Sequence, residues 1–252
     1  MLGIIDDCHV LVTAQEDEVI YLRASLAGFT PENTIAIQQP FPGQGKADAR
    51  QPQVILSLVE AYYEVAVTKR LSISNVELKD ALKRDSESIS LHLWTLFSSS
   101  LPDGRFISHF ITYYHFRQRA WLLKSGLNYG GHYVMYRGDP YLYHSEYIIY
   151  TINDQAVSWN LVQAMTRLAV DVKKTVLLCS VKLSDEDPGS KSPDCSDTFF
   201  YRFHGAQYDL KAVVIRYWDV VEAADYARHV DSDPFQFQTQ RCIRKRERKH
   251  LK

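Results

Sequence analysis

Two side chains with complementary proton chemistry flank one short loop. Residues 136–147 read YRGDPYLYHSEY, with Tyr136 and His144 at the shoulders, seven residues between them and a turn-forming Gly-Asp-Pro inside. A phenol oxygen can accept a proton, and an imidazole can give or take one near neutral pH, so the pair could serve two sides of one reacting bond. Further on, SWNLVQAMTRLAVDVKK carries Arg167 and ends in Lys173 and Lys174, cations suited to an anionic substrate. Each residue also has an ordinary explanation. Tyr136 is one of 16 tyrosines and His144 one of nine histidines, aromatic residues pack near turns, and Arg or Lys on a helix is usually solvated. The chemistry depends on whether the fold brings these groups together.

The elements that would have to do so are legible. VMY at 134–136 reads as a strand ending in Tyr136, and SEYIIYTI as the next, with His144 at its start. If the two pair antiparallel, their facing ends share one edge of a sheet. A helix is expected from Ser158, an N-cap candidate, to about Lys174. Its apolar face is Leu161, Met165, Leu168 and Val172; its polar face holds Asn160, Gln163, Arg167, Asp171 and Lys174. Arg167 and Lys174 are seven residues apart, close to two turns, which predicts that both project from one side. The strand TVLLCSVKL follows, then an acidic loop at 184–197 and the β-rich run LKAVVIRYW.

Upstream, EVIYLRASLAG reads as a strand, and the chain is turn-rich to residue 50. A helical pattern runs through PQVILSLVEAYYEVAVTKR, with further helices in NVELKDALKRD, SISLHLWTLFSSS and RFISHFITYYHFRQRAW. SSSLPDG, 98–104, is the natural boundary, being small, polar and broken by Pro and Gly. The expected class is α/β (α+β): a helix-rich N-terminal domain, 1–104, then a C-terminal domain, 105–240, with a small mixed sheet flanked by helices, and a basic tail, 241–252.

Composition excludes several classes. The apolar runs fall short of the roughly 20 residues that a membrane span needs, and MLGIIDDCHVLV is acidic where an export signal would be basic. Cys8, Cys179, Cys195 and Cys242 form no C-x-x-C pair and no zinc spacing, which fits a reducing, intracellular setting. Of 29 Lys and Arg and 30 Asp and Glu, the tail RCIRKRERKHLK holds seven and one, leaving an acidic body with 22 and 29. That body argues against indiscriminate coating of nucleic acid. The tail itself is a solvated extension, a nuclear-import signal or an RNA-phosphate contact.

Three stretches carry a resemblance. LKSGLNYGGHYVMYRGDPYLYHSEYIIY resembles the signature of the tRNA-splicing endonucleases: Gly and Tyr-Gly ahead of a strand ending in Tyr, then His-Ser-x-Tyr. SWNLVQAMTRLAVDVKKTVLLCSV resembles the family's Arg-containing helix with a Lys ahead of an apolar strand, and VILSLVEAYYEVAVTKRLSI resembles the N-terminal domain of the eukaryotic subunit that cuts the 5′ splice site. The resemblance implies a restriction-endonuclease-like nuclease domain in which Tyr136 is the general base, His144 the general acid and Lys174 the electrostatic stabiliser. It further implies Arg167 and Trp218 as a clamp on a bulged intron base, held between guanidinium and indole. No metal and no cofactor are implied. The implied partners are precursor tRNA and other splicing-endonuclease subunits, as a homo- or heterodimer or a heterotetramer, inside the cell and in the nucleus.

The implied chemistry is attack of the neighbouring 2′-OH on phosphorus, with a 2′,3′-cyclic phosphate and a 5′-hydroxyl as products. A phenol ordinarily holds its proton at neutral pH, so Tyr136 would need a cation such as Lys174 nearby. Lys173 is the rival for that role; Lys174 keeps the Lys-x-apolar-apolar spacing and the phase with Arg167. Two other readings stand beside this one. Asp139 with Asp171 and Lys173 could form a metal-dependent nuclease site, although Asp139 is explained by its Gly-Asp-Pro turn. The chain could also be a non-catalytic assembly subunit.

Overall fold

Alternating apolar residues turn the start of the chain into strands. In the computed structural model the described residues are 1–7, 9–25, 27–28, 53–74, 86–101, 104–140, 142–152, 157–184 and 198–215. Met1–Ile215 make one compact unit. The helix expected in NVELKDALKRD, the acidic loop beyond residue 184, Trp218 and the basic tail lie outside the described residues.

Strands β1 (Leu2–Asp6), β2 (His9–Thr13), β3 (Gln53–Ser57) and β4 (Ser72–Ile73) form a four-stranded sheet in the order β3-β2-β1-β4. Val10, Val12, Val54 and Leu56 point into its core at period two. Two expectations are corrected here. EVIYLRASLAG is mostly helix, α1 (Glu16–Ala24), because three acidic residues load its first turn and Val19 and Leu22 bury one side at helical spacing. Conversely, the helix expected from Pro52 opens as β3: residues 54 and 56 alternate inward, and Ser57 then stops the strand by capping the next element. That element, α2 (Leu58–Tyr62), starts on a capping box in which Ser57 Oγ accepts from Glu60 N–H and Glu60 returns to Ser57 N–H.

The chain then widens into a π-helical turn, Tyr63–Val67, that places Glu64 fully inside the protein. Thr68 Oγ1 and the Tyr21 hydroxyl donate to its carboxylate, and Arg70 and Arg117 lie near. Burial nonetheless raises its pKa above the usual carboxylate value. The unfolded chain therefore ionises Glu64 first, and this residue's contribution to stability falls as pH rises from about 4.5 through the folded pKa. Glu64→Gln removes the titration, so in urea unfolding the variant should gain on the wild type as pH rises across that window. A difference that stays flat between pH 4 and 8 counts against the assignment.

The remaining helices occur as expected. They are α3 (Ser86–Ser100) and α4 (Arg105–Arg117). Tyr62 joins them to the larger sheet: its ring packs edge-on to Phe110 at 4.8 Å, and its hydroxyl meets Nε2 of His204, in the turn at 204–205, at 2.5 Å. That sheet has β5 (Leu122–Ser125), β6 (Tyr133–Tyr136), β7 (Tyr147–Ile152), β8 (Thr175–Ser184), β9 (Thr198–Phe203) and β10 (Ala206–Ile215), in the order β5-β6-β7-β8-β10-β9. All its pairs are antiparallel except β7 with β8, which are joined through α5 (Trp159–Asp171). A parallel pair needs such a crossover, and it sets the starts of both strands at the same edge. The mixed sheet flanked by helices is therefore present; β5, β9 and the N-terminal sheet are additions to the sequence reading.

Candidate active site

The register of three strands builds the site. Met135 pairs with Tyr147, and Tyr147 with Thr175, forming one row across β6, β7 and β8. One residue further out the row continues as Tyr136, Glu146 and Lys174, with Glu146 N–H donating to Met135 O at 3.0 Å and Thr175 N–H to Glu146 O at 3.0 Å. Neighbouring strands are about 4.8 Å apart, so the Tyr136 and Lys174 backbones are separated by about 10 Å. Their side chains share a face. Val134, Ile148 and Val176 form a core with Met165 and Ala169 of α5, and Tyr136 packs against it from the edge. Tyr136 stands two residues from Val134 on β6 and so points the same way, and Lys174, just ahead of β8, sets its Nζ over the ring of Tyr129, which packs against the same core.

His144 belongs to the exposed segment leading into β7. Its position is fixed by its neighbours. Leu142 and Tyr143 N–H both donate to Asp139 O, which closes the loop as a turn. The adjacent Ser145 is 6% exposed, and its carbonyl accepts the Lys174 ammonium at 3.1 Å. Arg137 and Glu146 also tie the loop's shoulders, with Nε 3.3 Å from Oε1, and the guanidinium lies 4.7 Å over the Trp121 ring. Burial raises the Glu146 pKa, which the Arg137 charge partly offsets. Tyr136, the His144 segment and Lys174 thus meet at one sheet edge.

The path to Lys174 differs from the one expected. The helix begins as predicted, with Ser158 Oγ accepting from Leu161 N–H, but it ends at Asp171 rather than at about Lys174. Lys174 N–H bonds to Ala169 O and Lys173 N–H to Val170 O, a Schellman closure, with Lys173 in the left-handed region at φ 55. Lys174 therefore has no helical phase with Arg167, and that argument for choosing it fails. The choice rests on the closure, which leaves Lys173 exposed and turns Lys174 inward. Partial burial lowers the Lys174 pKa, and its Nζ lies 4.9 Å from the Tyr129 ring centroid.

Arg167 is exposed on the outer side of α5, which buries Met165 and Ala169; the expected apolar residues Leu161 and Leu168 are exposed instead. Trp218 lies outside the described residues, so of the pair that the resemblance implies only Arg167 is described. The carboxylates of the metal reading sit on separate elements, Asp139 in the loop after β6 and Asp171 at the end of α5. No group of three or more His, Cys, Asp or Glu gathers among the described residues. Tyr129 and Ser145 were not singled out from sequence; the Tyr-Gly-Gly ahead of β6 was the available signal for the first.

Known proteins match this region. The family described as tRNA intron endonuclease, catalytic C-terminal domain, matches residues 106–188, a span that contains Tyr136, His144, Arg167 and Lys174. The probable tRNA-splicing endonuclease subunit sen2 of Schizosaccharomyces pombe is 26% identical over 127 residues, 46% of this chain. The chain spans only 33% of that relative's length. The tRNA-splicing endonuclease subunit Sen2-1 of Arabidopsis thaliana is 26% identical over 221 residues, 86% of this chain and 80% of the relative. The tRNA-splicing endonuclease of Pyrococcus horikoshii is 33% identical over 153 residues, 60% of this chain and 81% of the relative. A third of positions shared across four-fifths of the Pyrococcus horikoshii relative is more than a common sheet topology would produce, and on that basis the chain belongs to the tRNA-splicing endonuclease family.

Proposed function

We propose that the chain is a catalytic subunit of an endoribonuclease that cuts precursor tRNA at an exon–intron junction, the 5′ one, without a metal ion. Its observational support is the contact between Lys174 Nζ and Ser145 O, which ties the proposed stabilising cation to the residue beside the proposed general acid. Tyr136 accepts the proton of the 2′-OH next to the scissile phosphate, and that oxygen attacks phosphorus. His144 donates a proton to the departing 5′-oxygen. Lys174 meets the charge that grows on the non-bridging oxygens; an ammonium already half-withdrawn from water needs little reorganisation to do so. The products are a 2′,3′-cyclic phosphate and a 5′-hydroxyl.

The names of the relatives, several of them subunits, support assembly with other splicing-endonuclease subunits, and an intracellular, nuclear location is proposed with it. No described helix is long and apolar enough to cross a membrane. Arg167, with Trp218, is proposed to hold a bulged intron base. We also propose a division into domains 1–104 and 105–240 with a tail 241–252, supported by one sheet drawing its strands from residues 2–73 and the other from 122–215.

The test is cleavage of an intron-containing precursor tRNA by the chain co-purified with its partners. Tyr136→Phe should lower the single-turnover rate about 10²-fold, at the lower end for a lost proton acceptor, with RNA affinity retained. End-group analysis should find the cyclic phosphate. Full activity in chelator is expected; loss that magnesium restores would instead favour the metal-dependent reading.

A further inference from the structure

We propose that Tyr129 is a positioning residue whose ring face holds the Lys174 ammonium against the Ser145 carbonyl, aimed at the scissile phosphate. The proposal rests on the catalytic reading of Lys174 above. Tyr129 ends a single 3-10 turn, Leu127–Tyr129, between β5 and β6. It is away from Lys174 in sequence and lies in neither the 136–147 loop nor the α5 end, so nothing in the site described so far requires an aromatic ring there.

The geometry is specific. Lys174 Nζ lies 4.9 Å from the ring centroid, within the range where a cation is drawn to the negative face of an aromatic ring. The same Nζ donates to Ser145 O at 3.1 Å. An ammonium has three donors; with one spent on Ser145 and the ring covering one side, its remaining direction is restricted. An unrestrained lysine would lose that direction to its four-carbon stem. Partial burial works against the charge, as the lowered Lys174 pKa records, and the ring offsets this by favouring the cation.

The platform itself is rigidly built. Tyr129 N–H donates to Gly126 O at 2.8 Å, Gly130 N–H to Leu127 O at 3.0 Å and Gly131 N–H to Gly126 O at 3.1 Å. Gly130 has φ +66, and a Cβ on Gly131 would run into Ile148 Cγ2. The turn can therefore lie flat on the sheet only with small residues at these positions. The ring of Tyr129 leans on the same core as Tyr136 and Val172, which sets its orientation independently of Lys174.

The experiment uses the full complex and precursor tRNA, under single turnover. Tyr129→Leu keeps apolar volume and removes the ring; the rate should fall about 3- to 30-fold with the half-saturating RNA concentration unchanged. Tyr129→Phe keeps the ring face and should recover most of that loss. On a Lys174→Ala background, Tyr129→Leu should have no further effect, because its role acts through the ammonium. Should Tyr129→Leu unfold, 3,4,5-trifluorophenylalanine at 129 weakens the ring quadrupole with little change of shape, and the rate should fall below that of Tyr129→Phe. Equal losses in the Leu and Phe variants, or the same loss with and without Lys174, overturn the proposal. If Lys174→Ala alone cleaves at the wild-type rate, the catalytic reading itself has failed, and that result is distinct from either.

Discussion

His144→Ala should lower single-turnover cleavage of precursor tRNA by about 10²- to 10⁴-fold, the range for loss of a positioned proton donor. RNA binding should persist. The side chain is exposed, so its removal opens no cavity, and its backbone is held by other contacts: the turn onto Asp139 O, buried Ser145 bonded to Lys174, and the Arg137–Glu146 pair. A fall in rate would accordingly report chemistry rather than a displaced loop. The role can be isolated further by replacing the departing 5′-oxygen of the RNA with sulfur, a leaving group that needs no proton. That substrate should restore most of the rate of His144→Ala and little of the rate of Tyr136→Phe, whose missing proton acceptor acts on the 2′-OH. Unchanged cleavage in His144→Ala with the natural RNA would remove the acid from the scheme. Rescue of both variants alike would remove the division of labour.

The parts of the fold legible in the sequence are those where one physical preference dominates. YVMY, YIIYTI and TVLLCSVKL are short runs enriched in β-branched and aromatic residues that read as strands, and their pairing carries Tyr136 and Lys174 to one edge. Ser158 caps a helix because its hydroxyl meets an orphan N–H, a local rule that needs no tertiary knowledge. The misread parts are those where tertiary context decides. EVIYLRA has β-branched residues but folds as helix α1, and residues 53–57, the start of a run read as helical, pair with β2 to finish a sheet. At the site, Lys174 is the more inward of the two lysines for a reason the periodicity misses: a Schellman closure with a lysine in the left-handed position, where glycine would be the usual signal. Tyr129 is illegible for a similar reason, since its partner is 45 residues away and the two meet only through the sheet.

The two adjacent lysines give the most discriminating test of the site. Lys174→Ala should reduce cleavage about 10²- to 10³-fold, the range for one lost donor to a developing oxyanion. Lys173→Asn removes the neighbouring charge while suiting the left-handed backbone, and should leave the rate within about three-fold, as expected for an exposed cation. Stability should not follow activity. Because the folded pKa of Lys174 lies below its unfolded value, the unfolded chain binds more protons between the two, and the charged residue works against folding at neutral pH. Loss of this ammonium relieves that penalty while giving up its hydrogen bond to Ser145 O, so the melting temperature of Lys174→Ala should shift little while its cleavage collapses. Lys173→Asn should hold both. The reverse result, with Lys173→Asn inactive and Lys174→Ala active, would mean that the helix end presents its exposed lysine to the RNA, and the row from Tyr136 to Lys174 would then be a structural edge rather than a catalytic one. A residue that weakens the fold when charged yet cannot be removed without loss of rate is placed for the reaction, and measuring both quantities on one variant separates that case from a lysine that merely finishes a strand.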